Sequence, residues 1–322
     1  MKKKFCFFTG LSLVLFAASS VSYAHDADTV RFHFATEKEA RVLVCSDDVF
    51  TRGWSEFDIV SRLQDTCGTK SDLLALKQVE VRDWTEEEKQ LILSDMHEIN
   101  QIIRTEGYKL PFPEEVILVK STMKDEGGAA GYTQANWIAL SDSYIERADK
   151  EARRYLLLHE LSHILTRNSM EYKTRLYAAL GFKVIPEGMV YPEELKKIRI
   201  SNPDIGAYDS YGPFKVNGRK ENCAMYLYAG RPYTGGKFFE YVEIAFVPYD
   251  SNMNPKRDAE GKLIMYNMSQ IEDFTERVGK NTEYIIHPEE ILAENFVLAF
   301  LREPDVATPK LQKKVYKVLR GK

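Results

Sequence analysis

Apolar residues recur every three or four positions over several stretches of the chain, and that period predicts its main helices. From Thr85 to Thr105, Leu91, Ile92, Met96, Ile99 and Ile103 fall at helical spacing. Thr85 followed by Glu88 is a capping box, and Gly107 ends the run. Asp149 to Thr166 forms a second long helix. Leu156, Leu157, Leu158, Leu161, Ile164 and Leu165 make it apolar nearly all round, the pattern of a buried helix. Glu171 to Leu180 is a third, closed by Gly181. Pro288 to Leu301 carries Pro288 at a first-turn position, and Pro309 to Leu319 is a short basic helix.

A period of two appears elsewhere. Thr29 to Phe34 alternates as a half-buried strand does, Arg41 to Cys45 is a short apolar run, and Val116 to Val119 is a strand candidate. Gly131 to Leu140 reads as one further strand, preceded by Gly127 and Gly128. Between Phe182 and about Asn281 the chain turns rich in Tyr, Gly, Pro and Asn. Phe238 to Pro248 and Lys262 to Met268 read there as strands of a hairpin or small sheet. These elements predict an α+β fold: a small mixed sheet, a helical C-terminal part, and a β-hairpin region inserted at about 182–281. Residues 25–108 form an N-terminal segment or subdomain, and 109–322 the main domain.

The first 24 residues stand apart. Lys2, Lys3 and Lys4 precede an apolar run from Phe5 to Ala18, and Ser22-Tyr23-Ala24 places small residues where a signal peptidase cuts. The segment is expected to be a signal peptide of an exported protein, periplasmic or secreted, with no stable membrane insertion after cleavage. No second apolar run of about 18 residues follows. Its removal takes away three Lys and no acid, so the net charge of −4 becomes −7. That balance excludes a general electrostatic grip on nucleic acid. With 44% hydrophobic and 12% aromatic residues the chain is too apolar to be disordered. In an oxidising compartment Cys45 and Cys67 are the natural disulfide pair, leaving Cys223 as a small core residue.

The candidate chemistry lies on the 149–166 helix, which contains His159-Glu160-Leu161-Ser162-His163. Residues i and i+4 share one helix face, so His159 and His163 offer two imidazole nitrogens to one ion. Glu160 lies beside that ion, where it can take a proton from water. Two His and a Glu on a buried helix would be costly without partners, and a metal supplies one.

This segment resembles the zincin metallopeptidases. It departs from their metzincin branch, because Thr166 and Ser169 stand where that branch has Gly and a third His. No other His fits a third-ligand spacing, so a carboxylate is expected. Pro288-Glu289-Glu290-Ile291-Leu292-Ala293-Glu294-Asn295-Phe296 carries Glu290 and Glu294 one turn apart on an apolar helix. It is similar to the glutamate helix of gluzincins, especially the anthrax lethal factor-like catalytic domains. The resemblance makes Glu290 the third metal ligand and Glu294 the residue that orients a ligating imidazole. It also gives Tyr284 a place near the metal, although with 18 Tyr in the chain packing is the more ordinary role; Tyr208 and Tyr211 are further candidates. Glu187 and Glu193, nearer His163 in sequence, are the alternatives to Glu290.

The resemblance implies a zincin-like sheet packed on the motif helix, a bound Zn2+, and a peptide or protein substrate. The expected function is hydrolysis of peptide bonds by water activated by Glu160. The alternative is a non-catalytic zinc-binding or interaction protein of the same fold.

Overall fold

The computed structural model describes residues 29–322. The expected signal peptide lies outside them. Each of the first five helices starts at a Thr, Asp or Ser whose side chain accepts the backbone N–H three residues on, with the reciprocal bond also made. These caps are Thr36 for α1 (Glu37–Leu43), Asp48 for α2 (Val49–Arg52), Ser55 for α3 (Glu56–Leu63), Thr69 for α4 (Lys70–Glu80) and Thr85 for α5 (Glu86–Glu106). Thr36 accounts for the apolar run at Arg41 to Cys45, which is the end of α1 and its cap. Gly107, left-handed at φ 61°, ends α5 as its position in the sequence implies.

The first sheet is mixed. Strand β1 (Phe32–Phe34) pairs parallel with β3 (Val116–Ser121), which pairs parallel with β5 (Trp137–Ser141), and β4 (Gly131–Gln134) closes the edge antiparallel to β5. The short β2 (Val81–Arg82) pairs antiparallel with the end of β3. The single strand expected over 131–140 is therefore a hairpin, with Thr133 opposite Ile138. Its turn falls at Ala135 and Asn136, and Ala135 takes a left-handed φ of 44° that no Gly or Pro announces.

Helix α6 (Asp142–Arg147) leads into α7 (Lys150–Asn168), capped by Asp149, and α8 (Met170–Ala179) follows after Ser169. The second sheet is antiparallel in the order β6 (Lys183–Val184), β7 (Ser210–Val216), β8 (Arg219–Ala229) and β9 (Val242–Pro248), with the one-turn α9 (Glu193–Lys196) between β6 and β7. Lys262 to Met268 is not a strand of it. That segment makes only isolated bridges, Leu263 to Arg257 and Tyr266 to Phe246. The chain ends with α10 (Phe274–Val278), α11 (Pro288–Phe300) and α12 (Pro309–Leu319).

Helix α7 is the centre of this arrangement. It packs on α5, α8, α11, β4 and β5, and Leu157, Leu161, Ile164, Ile99 and Phe296 share one buried core around it. A second core, with Tyr226, Leu227 and Tyr241, lies on the β6–β9 sheet. Among the described residues no helix is long and apolar enough to cross a membrane. The three described cysteines are free. Cys45 is half-buried beside Leu74 and Gln78, Cys67 is exposed, and Cys223 is buried, so the expected Cys45–Cys67 pair is not formed. The α4 backbone and Gln78, rather than Cys67, satisfy Cys45.

Candidate metal centre

The geometry of two helices builds the site. On α7, His159 and His163 are one turn apart and face the same way, with ring centroids 4.8 Å apart. Helix α11 begins at Pro288, and the His287 ring caps it by accepting from Glu289 N at 3.2 Å. This start places Glu289 and Glu290 in the first turn, where the free N–H groups of a helix favour carboxylates. Glu290 Oε2 lies 3.3 Å from His159 Nε2 and 3.5 Å from His163 Nε2. His159, His163 and Glu290 form a group whose ligand atoms lie within 4.8 Å of one another, and it could hold a metal ion. Glu187 and Glu193 are exposed and outside that group.

Each imidazole is held from behind by its own carboxylate. His159 Nδ1 is 3.0 Å from Glu294 Oε1, and the other Glu294 oxygen accepts from the hydroxyls of Tyr155 at 2.8 Å and Thr282 at 3.2 Å. His163 Nδ1 is 3.1 Å from Glu289 Oε1, and Glu289 also accepts from the hydroxyls of Thr166 and Tyr177. An acceptor on Nδ1 favours the N–H on that nitrogen and leaves Nε2 facing Glu290. Burial opposes charge on either ring, yet Glu290 and Glu294 push His159 up to about 10, and Asp204 and Glu290 push His163 well above the usual histidine range, so an ion at Nε2 takes the place of a proton. His163 Nε2 is buried and has no hydrogen-bond partner. Such an orphan is uncommon in a folded interior, and a cation satisfies it.

Electrostatics follow from this packing. Burial opposes ionisation of Glu289, yet its bond to His163 holds it down to about 2. Burial likewise opposes ionisation of Glu290, and the two His residues, His163 foremost, keep it well below the usual carboxylate range. The site therefore presents ionised carboxylates on both sides of the imidazoles. His287, pushed down to about 4 by burial, is neutral and serves as a cap.

Glu160 sits differently. It is buried, its Oε2 has no partner, and burial first and the charge of Asp204 second push its carboxyl up to about 8. A pKa near neutrality suits a group that both takes and returns a proton. Gly131 of β4 makes room for it, since a Cβ there would lie 2.8 Å from Glu160 Oε1.

The loop after α9 supplies groups absent from the sequence expectation. Asn202 Nδ2 donates to Glu290 Oε1 at 2.6 Å. Asp204 Oδ1 accepts from Thr133 N at 2.7 Å and from Thr133 Oγ1 at 2.8 Å, so it occupies the outer edge of β4 at that residue. Asp204 also forms, with Glu160 and His163, a second and overlapping group that could hold a metal ion. Glu289 was legible as an acid beside Glu290, but its place behind His163 depends on how α11 meets α7. Tyr284 stands at the mouth, its ring 6.4 Å from that of His159, and the charge of Glu290 holds its hydroxyl well above the usual tyrosine range. Tyr208 stacks on Tyr226 and borders His287, behind the site rather than in it.

The arrangement can hold a small cation between three inward-facing donors and keep an unpartnered carboxylate beside it. No protein-family profile, curated protein or solved structure matches the chain.

Proposed function

We propose that the chain is an exported, zinc-dependent peptidase of zincin type. The single observation that carries this reading is the triangle at Glu290 Oε2, 3.3 Å from one Nε2 and 3.5 Å from the other. Ligand atoms about 2.0–2.2 Å from a tetrahedral ion stand roughly 3.3–3.6 Å apart, and the two spacings from Glu290 Oε2 fall in that range, which supports zinc. Two His and one carboxylate are also the protein ligands of catalytic rather than structural zinc sites. A purely structural ion has no use for Glu160, a buried carboxylate without a partner next to the donors.

When bound, the ion supplies Lewis-acid polarisation of a peptide carbonyl and of water. The chain does the rest. His159, His163 and Glu290 fix the position of the ion, and Glu294 and Glu289 fix the two rings. Glu160 takes a proton from the attacking water and returns it to the amine that leaves. Tyr284, whose ring lies 6.4 Å from that of His159, donates to the carbonyl oxygen as charge builds on it. The Gly131 end of β4, beside Glu160, offers an extended segment along which a peptide can lie.

The test is metal analysis of the purified protein with and without Glu290→Ala, together with casein turnover in the presence and absence of a chelator. About one equivalent of zinc, lost in the variant, and cleavage stopped by the chelator are the expected results. Cleavage untouched by chelation, or full metal content in the variant, would sink the proposal.

A further inference from the structure

A pocket of about 190 Å³ adjoins the candidate metal centre, and apart from Tyr284 and Asn202 its walls have no part in the chemistry above. Ala129, Tyr132, Leu227, Phe238, Phe239 and Ile286 line it. Two charged residues reach it, and they neutralise each other. Arg62 donates from Nε to Glu126 Oε2 at 3.0 Å, from Nη1 to Asp58 Oδ1 at 2.7 Å and from Nη2 to Ser201 O at 2.5 Å, and its guanidinium lies 4.8 Å from the centre of the Phe238 ring. With its hydrogen bonds made internally, the floor has no charge to offer a ligand. The pocket therefore selects for apolar groups.

Size narrows the choice. An apolar cavity of about 150 Å³ is enough to take up benzene. This pocket, at about 190 Å³, holds one phenyl or isobutyl group and not two. Two residues join it to the metal centre. Tyr284 lines the pocket while its ring faces His159, and Asn202 lines it while donating to Glu290 Oε1. A third link runs along the chain before β4. Ala129 is in the wall and Gly131 abuts Glu160, two residues and so at most about 7 Å away. That is the span between a peptide bond and the side chain next to it. Phe239 is 52% exposed, an unusual position for a large apolar ring, and it forms the lip.

We propose that this pocket receives one large apolar side chain, aromatic or leucine-sized, from a residue flanking the bond to be cut, and so sets the substrate preference. This rests on the peptidase reading; the binding step does not.

The experiment separates the two. N-acetyl amides of Phe, Ala and Glu are titrated into the full chain by NMR, with and without zinc, and into Ala129→Trp, which fills the pocket, and Phe239→Ser, which removes its lip. Circular dichroism confirms that each variant is folded. The Phe amide is expected to bind at least about 10-fold tighter than the Ala amide, and both variants to erase most of that difference. In parallel a mixed peptide library is digested. Cleavage sites should carry Phe, Tyr, Leu or Met at one fixed position, and Ala129→Trp should lower the ratio of large to small side chains there by roughly 10- to 100-fold. Equal binding of the three amides, tighter binding of the Glu amide, or cleavage without apolar preference overturns the proposal. Phe-selective binding in a protein that cuts no peptide keeps the apolar site and discards the peptidase reading.

Discussion

Glu289 Oε1 lies 3.1 Å from His163 Nδ1 and joins α11 to α7 behind the candidate metal centre. Among the described residues Glu289 is the partner of the fully buried His163 ring at Nδ1, and it also takes the hydroxyls of Thr166 and Tyr177. Glu289→Gln keeps the shape and removes the charge. Metal affinity should fall roughly 10- to 100-fold, the usual loss when the group behind a ligating imidazole is changed. Glu294→Gln should act the same way through His159. Competition titration against a chromophoric chelator measures both, and unchanged affinity in the two variants would remove the carboxylates from the argument.

Gly131 and Glu160 meet closely enough that a single methyl group tests the proposed base. The Cβ of Gly131→Ala would lie 2.8 Å from Glu160 Oε1 and 3.2 Å from Ala139 O. Glu160 can yield, at the cost of its position. Turnover should drop on the order of 100-fold, as a displacement of about 1 Å at a reacting group costs. Glu160→Gln should drop it by about 10² to 10⁴-fold, the range for a lost general base. Both variants should bind metal as the parent protein does. A Gly131→Ala protein with full turnover would mean that the Glu160 position is not what limits the reaction.

The free cysteines differ enough in surroundings to be told apart by reaction rate. Burial pushes the Cys223 thiol up to about 12, whereas Cys67 is exposed in the turn before α4. Only the thiolate reacts and only an accessible one, so buried Cys223 should label much more slowly than exposed Cys67 in the native protein and at the same rate once unfolded. Mass mapping after alkylation gives the rates. A peptide in which Cys45 and Cys67 are linked would show that the protein closes a bond this structure leaves open.

Much of the site was readable along the chain because its parts are local to two helices. The spacing of His159 and His163 and of Glu290 and Glu294 is a property of single helices, and Asp149 and Pro288 mark where each begins. What was missed is of another kind. Glu289 acts on His163 across 126 residues of sequence, and Asn202 and Asp204 come from a loop with no periodic signal. The β7–β8 hairpin has a local mark of its own. Asn217 and Gly218, at φ 49° and 72°, form the two-residue turn that such pairs favour, between alternating segments. The turn at Ala135 and Asn136 carried no such mark, so two strands read as one.

The buried charges under the site make a last prediction, because they tie the N-terminal helices to the metal centre. Arg62 is paired with Asp58 and Glu126, and Lys77 with Asp125 at 2.7 Å, all with side chains 3% exposed or less. Asp58 in turn accepts from Ser201 N at 2.8 Å and Ser201 Oγ at 2.7 Å, next to the Asn202 that holds Glu290. Arg62→Met leaves two buried carboxylates short of a partner, which costs about 3–5 kcal/mol. The melting temperature should fall by roughly 5–15 °C in a chain of this size. The exposed pair Arg52–Asp47 is the control, and Arg52→Met should move the melting temperature by less than about 2 °C. Because the Arg62 cluster anchors the residue before Asn202, metal affinity should weaken in Arg62→Met at a temperature where the variant is still folded, and Arg52→Met should leave it unchanged. Equal melting temperatures for the two variants would show that the cluster is not the anchor it is described as.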